Sequence, residues 1–187
     1  MVVVLSLGLP PSHPDHALLK RIEDKIIEHA EGWERFRREV PNLIRQGIDE
    51  VIDAARSQRF TLDELKRIER AYIGIKIKIL FRDRLGLERG KVLDLLVDGA
   101  EVAVRCTVGS TWTVPKKAVG QPCIFIKVNE RSARYCLGIA VIRPEFSSPA
   151  LRRDRRTAVA QRAQADIRWI VRGAPYPHNP WGGRRCG

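Results

Sequence analysis

The chain has 187 residues, 44% hydrophobic and 30% charged, which is enough for one well-buried core and too little for two full-sized domains. Lys and Arg number 34 against 22 Asp and Glu, a formal charge of +12, far beyond what solubility needs and suited to a polyanionic partner. Of the 34 basic residues 25 are Arg, whose planar fork grips phosphate and guanine edges, so composition favours nucleic acid over a membrane surface.

The apolar opening run, residues 1–9, is about half a membrane span long and lacks the basic start of a secretory signal. A cytoplasmic chain with a flexible segment over residues 1–14 is expected. His13 and His16 sit among prolines and read as solvated loop residues. Leu18, Leu19, Ile22, Ile26 and Ile27 then recur at the helical period and predict a helix over 15–30. A second helix starts near Trp33 and is expected to stop at Pro41; a third covers Leu43 to Ile52. Thr61-Leu-Asp-Glu64 has capping-box spacing and opens a long helix to about Leu85, whose stripe Leu65, Ile68, Tyr72, Ile75, Ile79 is predicted to face the core. Ile73, Ile75, Ile77 and Ile79 also alternate as a strand would, but the helical stripe continues through them in phase.

From Lys91 the period becomes two. Residues 92–97 and 101–108 around Asp98-Gly99 predict a β-hairpin, and residues 123–128 and 134–142 a second one. The basic run Arg152, Arg153, Arg155, Arg156 leads to a last predicted helix over 157–171, and residues 173–187 read as a flexible tail. The layout is an α+β fold, an α/β/α sandwich with N-terminal helices and a mostly antiparallel central sheet, forming one domain over 15–172. Cys106, Cys123, Cys136 and Cys186 are too widely spaced for a disulfide framework or a zinc site.

Chemistry concentrates on the first hairpin. Glu101, Ala103 and Arg105 share one face of its second strand, within reach of Asp94 on the first. A carboxylate followed nine residues later by a (D/E)xK triplet is the metal-site plan of restriction-endonuclease-like nucleases; here Asp94 is followed by Ala103-Val104-Arg105. Longer motifs surround it: Phe60-x-x-Asp63-Glu64-Leu65-x-x-x-Glu69-x-x-Tyr72-x-Gly74, then residues 94–99, then Thr111-Trp112-x-x-Pro115-x-x-Ala118-Val119-Gly120 with Cys123, then Ile167-Arg-Trp169. Together they make the chain resemble the NaeI-like branch of type II restriction endonucleases over about residues 35–172.

That resemblance implies magnesium-dependent cleavage of duplex DNA by a homodimer. In the family a helix Glu and two strand Asp hold the metal, and a Lys two residues after the second Asp orients the attacking water. Carried onto this sequence, those positions are Lys78, Asp94, Ala103 and Arg105, of which Asp94 alone keeps its chemistry. Three carboxylates and a Lys sum to −2, whereas these four residues sum to +1, and magnesium needs carboxylate oxygens. The expectation is a duplex-DNA-binding protein whose cleavage is lost and whose cofactor requirement has gone with it. Lys78 and Arg105 would grip a phosphate, joined by Lys116, Lys117 and the Arg152, Arg153, Arg155, Arg156 run. The first alternative is an active magnesium enzyme in which Glu101 or Glu69 supplies the missing ligand beside Asp94. The second is an interaction subunit of a restriction-modification system, pairing through the apolar stripes of its N-terminal helices. Trp112 is read as a packing aromatic before a base-stacking one.

Overall fold

A computed structural model describes residues 4–144, 147–148, 156–159 and 165–180. Strand β1 (Val4–Leu7) is followed by helices α1 (His16–His29), α2 (Trp33–Ile52), α3 (Ala54–Ser57) and α4 (Arg67–Arg84). The strands that follow are β2 (Glu88–Arg89), β3 (Leu95–Val97), β4 (Ala100–Thr107), β5 (Thr113–Pro115), β6 (Pro122–Asn129), β7 (Arg134–Val141), β8 (Ser147–Ser148), β9 (Arg156–Val159) and β10 (Arg168–Pro175). Seven of them form one sheet in the order β1-β10-β7-β6-β4-β3-β2, and β5-β9-β8 form a small second sheet. Within the large sheet only β4 and β6 run parallel. The architecture is the α+β fold that the sequence predicts.

Local chemistry accounts for most elements. Helix α1 buries Leu19, Ile22, Ile26 and Ile27 on one face, while Lys20 and Asp24 pair across one turn on the other. Both hairpins form about where the period-two pattern places them, except that the strand expected over 92–97 is only Leu95–Val97, with 91–94 a loop. Asp98 and Gly99 adopt φ of 49° and 76°, the two left-handed residues that a tight hairpin turn requires, and Gly supplies the second without steric cost. Alternation along β6 then divides the interior. Ile124, Ile126 and Val128 join the large core under the helices, and Cys123 and Phe125 join a smaller one on the opposite face with Trp112, Val114 and Trp169. Buried ion pairs tie helix to sheet: Glu23 of α1 meets Arg168 of β10, and Arg45 of α2 meets Glu130 beyond β6 at 2.8 Å.

Four expectations change. Helix α2 passes through Pro41 without stopping; Phe36 and Val40 before it and Leu43, Ile44 and Ile48 after it are all buried in the same core, and that burial outweighs one missing backbone hydrogen bond. The Thr61–Glu64 box caps only a 3-10 turn, Leu62–Glu64, and α4 starts afresh where the Lys66 N–H donates to Glu69 Oε2 at 2.8 Å. Of the helix expected over 157–171, the two ends lie in β9 and β10 and residues 160–164 lie outside the described residues. Ile167, Trp169, Ile170 and Val171 are buried, and such a run of β-branched and aromatic residues covered on both sides suits an internal strand. The α4 stripe expected in the core faces outward: Ile68, Tyr72, Ile75 and Ile79 are 68%, 55%, 46% and 38% exposed, while Ile73, Ile77 and Phe81 are fully buried.

The chain ends are also tied in. Val4–Leu7, inside the segment set apart as 1–14, pairs with β10, and β10 continues beyond residue 172 to a buried Tyr176. The apolar stripes of α1 and α2, expected to be free for a partner, are spent on the core. No helix among the described residues is long and apolar enough to cross a membrane.

Candidate functional site

Helix α4 and strand β4 bring the candidate residues together. They approach closely at Gly74, where a Cβ would lie 3.2 Å from the Cys106 carbonyl oxygen, so a side chain there would require the two elements to separate by a few tenths of an ångström. One turn further along α4, Lys78 reaches over the strand end, and its Nζ lies 2.9 Å from Asp94 Oδ1. The other carboxylate oxygen accepts from the Val104 N–H at 2.8 Å and from Arg105 Nη1 at 3.1 Å. Burial alone would raise the Asp94 pKa, but the Val104 N–H, the Lys78 ammonium and the Arg105 guanidinium outweigh it and hold the carboxyl below its ordinary range. Both oxygens are therefore occupied, by two cations and a peptide N–H.

Ala103 offers nothing further. It is fully buried and its methyl group packs in the smaller core with Trp112 and Cys123. Among the described residues no three His, Cys, Asp or Glu side chains converge in a way that would hold a metal ion.

The two rescue carboxylates have other work. Glu101 accepts hydrogen bonds from the backbone N–H groups of Lys91, Val92 and Leu93, the closest at 2.8 Å. These bonds, the Leu93 N–H foremost, keep its pKa low and clasp the loop that leads into β3. Glu69 pairs with Arg59 at 2.8 Å and takes the Lys66 N–H, and together these pull its pKa down to about 2. It also lies nine residues from Lys78, roughly 13 Å along the helix axis. Neither carboxylate has a hydrogen bond or ion pair to Asp94, Lys78 or Arg105.

Of the expected phosphate contacts, Lys116 and Lys117 lie in the exposed 3-10 turn after β5, and Lys117 Nζ donates to the Val92 carbonyl. Arg156 lies on β9, whereas Arg152, Arg153 and Arg155 fall outside the described residues. Trp112 is a packing residue: its indole N–H donates to the Ile126 carbonyl at 3.0 Å and its ring meets Phe125 edge-on at 5.4 Å. Cys106 and Cys123 are pushed up to about 12 by burial, which leaves them inert as nucleophiles.

The sequence did not reveal two clefts that flank Lys78. One, of about 400 Å³, runs between α4 and β4 and presents Lys78 and Arg105 beside the hydroxyl-bearing Thr107, Thr111 and Thr113. The other, of about 500 Å³, lies between the second half of α4 and the loop at 90–93, and brings Arg89 and Lys91 to the same side as Lys117. The signal for Arg89 and Lys91 is that neither has a carboxylate partner among the described residues, and that can be seen only in three dimensions. Together the clefts form a cationic strip on either side of one neutralised carboxylate, suited to sugar-phosphate backbone.

Comparison with known proteins gives a concordant result. The family model for restriction endonuclease NaeI matches residues 26–181. The type II restriction enzyme NaeI of Lentzea aerocolonigenes is 23% identical over 133 residues, which cover 70% of this chain and 42% of that enzyme.

Proposed function

Because the chain belongs to the NaeI restriction endonuclease family, and because its Asp94 is locked between two cations, we propose that it binds double-stranded DNA and does not cleave it through the family's metal site. The observation that carries this reading is the Lys78–Asp94–Arg105 triad. Where a nuclease of this plan needs three carboxylates, this protein has one, with both of its oxygens engaged, a buried methyl group at Ala103 and an ammonium at Lys78.

Magnesium does not fit these side chains. It holds near-octahedral geometry at about 2.0–2.1 Å and binds through carboxylates that retain free lone pairs. Here Lys78 lies against the only carboxylate of the set and would repel a divalent ion. Loss of a metal removes Lewis-acid polarisation, water activation and charge neutralisation together, each worth several kcal/mol of barrier. The same substitutions raise the local charge from −2 to +1, which favours a phosphodiester in the ground state. Loss of cutting and gain of grip follow from one set of changes.

The test is incubation of supercoiled plasmid with magnesium or manganese, scoring nicking and retention in a gel from the same tubes. The native chain is expected to retain the plasmid intact, with affinity falling steeply as salt rises. The variant carrying Lys78→Glu, Ala103→Asp and Arg105→Lys is expected to nick, provided its thermal melt shows it folded, because Ala103 is buried. Nicking by the native chain that Asp94→Ala abolishes would overturn the reading and favour an active enzyme with rearranged ligands. The chain spans 42% of the length of the curated relative it matches, so that protein's own activity is a guide to chemistry and not to the whole assembly.

A further inference from the structure

Six residues on the α4 side of the molecule have no role in the core or in the triad, and they line one cleft. Ile75, Ile79 and Val92 form an apolar wall, 46%, 38% and 57% exposed. Arg89, Lys91 and Lys117 form a cationic rim around it; Arg89 and Lys91 have no carboxylate partner among the described residues, and Lys117 is held to the Val92 carbonyl with Glu101 nearby. Most other described Lys and Arg side chains are in ion pairs, so this clustering departs from the pattern of the rest of the surface. An exposed apolar wall is unfavourable in water, and the cations beside it raise the local potential for an anion. A single ligand with a flat apolar body and an attached anion suits both.

The cleft is also preformed. Its loop wall is pinned by the three N–H bonds to Glu101, and Gly90 at its start leaves no room for a side chain, since a Cβ would lie 2.5 Å from Glu101 Oε2 and 2.8 Å from the Leu95 carbonyl. A wall fixed before binding loses little entropy on binding. The volume of about 500 Å³ lies within the usual range for small-ligand sites and far below what a duplex would need. Asp94 and Lys78 close its inner end, next to the strip where the DNA backbone would run.

We propose that this cleft takes one unpaired nucleotide of the bound DNA, with the base against Ile75, Ile79 and Val92 and its phosphate on Arg89, Lys91 and Lys117. The assignment rests on the DNA-binding reading and extends it: the protein recognises duplexes with an extrahelical or bulged nucleotide. A base extruded from the stack exposes both faces of its ring, and apolar side chains can cover one of them. Extrusion costs least where the nucleotide already lacks a partner, so the cleft selects for that defect.

The experiment compares a fully paired duplex with one carrying a single bulged 2-aminopurine, and measures binding by anisotropy and the base environment by 2-aminopurine emission. Deoxyadenosine monophosphate is titrated separately by calorimetry. The bulged duplex is expected to bind about tenfold tighter, the low end of what an aromatic platform gives one base since this wall is aliphatic, with a change in emission. The Val92→Ser, Ile79→Ser double variant, shown to be folded by its thermal melt, is expected to lose both effects, and Lys91→Gln to weaken them. Equal affinity for the two duplexes with unchanged emission overturns the inference and leaves the DNA-binding reading intact. If neither duplex binds but the mononucleotide does, and the double variant abolishes that binding, the DNA-binding reading fails and the cleft serves free nucleotides. Mononucleotide binding that the double variant retains, or no binding of any of the three, overturns the inference.

Discussion

At the scale of single residues, Asp94 holds two cations that the proposed DNA ligand would also need. Replacing it by Asn keeps an oxygen for the Val104 N–H and releases Lys78 and Arg105 to a phosphate. Asp94→Asn is therefore expected to raise duplex affinity by about threefold to tenfold and to steepen the salt dependence by about one counterion, measured by anisotropy across a sodium chloride series. Lower affinity would mean that Asp94 positions the cations and does not compete for them. The same variant should lose about 1–2 kcal/mol of stability, less than a fully buried pair because Lys78 remains 30% exposed. The Asp94 pKa is lowered from 3.8, so its stabilising contribution is complete above that value and fades as pH falls through the lower folded value. Urea titrations at several pH values are expected to show the native and Asp94→Asn proteins converging below about pH 4 and differing by a constant amount from pH 6 to 9. Asp94 and Arg105 were legible in the sequence because strand alternation and a two-residue turn fix which side chains share a face. The clasp made by Glu101 was not, since its partners are backbone groups of a loop whose path no pattern specifies.

Helix α4 shows where reading elements from sequence runs out. It is apolar on two opposite faces, one through Ile68, Tyr72, Ile75 and Ile79 and the other through Ile73, Ile77 and Phe81. Periodicity finds both and cannot rank them, because the choice is made by α2, which packs against only one. Phe81→Ala is accordingly expected to cost about 3–5 kcal/mol and Ile73→Ala about 2–5, while Ile68→Ala stays within about 0.5. Urea unfolding of the three variants checks this, and a cost at Ile68 equal to that at Ile73 would mean the outer face is covered in solution. The segment expected to be a last helix failed for a related reason. Its Ala-rich first half has helical propensity, but Ile167 to Val171 are drawn into the sheet by burial on both faces, a tertiary demand that local composition does not register. Pro41 is the converse case, a breaker overruled by the core on either side of it.

At the scale of the whole molecule, the 34 basic side chains are unevenly used. Most of those described are in ion pairs, and one pair, Glu23 with Arg168, is buried at 4% and 8% exposure. Removing one partner of such a pair strands the other, so Glu23→Gln is expected to destabilise by about 3–5 kcal/mol, seen as a lowered urea midpoint with an unchanged slope. Overall class and the two hairpins were legible because they follow from composition and period; the division of the interior into two cores was not, nor was the order of strands, since that depends on β10 entering between β1 and β7. That insertion has a practical consequence. The far edge of the sheet is blunt, a two-residue strand of Glu88 and Arg89, but β10 is eight residues long and, among the described residues, is paired on its outer side by Val4–Leu7 alone. A shortened chain starting at Gly8 would uncover a long, largely apolar edge with unpaired peptide groups, which is a template for another molecule's strand. Trimming those seven residues, none of which lines the clefts beside Lys78, would therefore show itself as concentration-dependent precipitation.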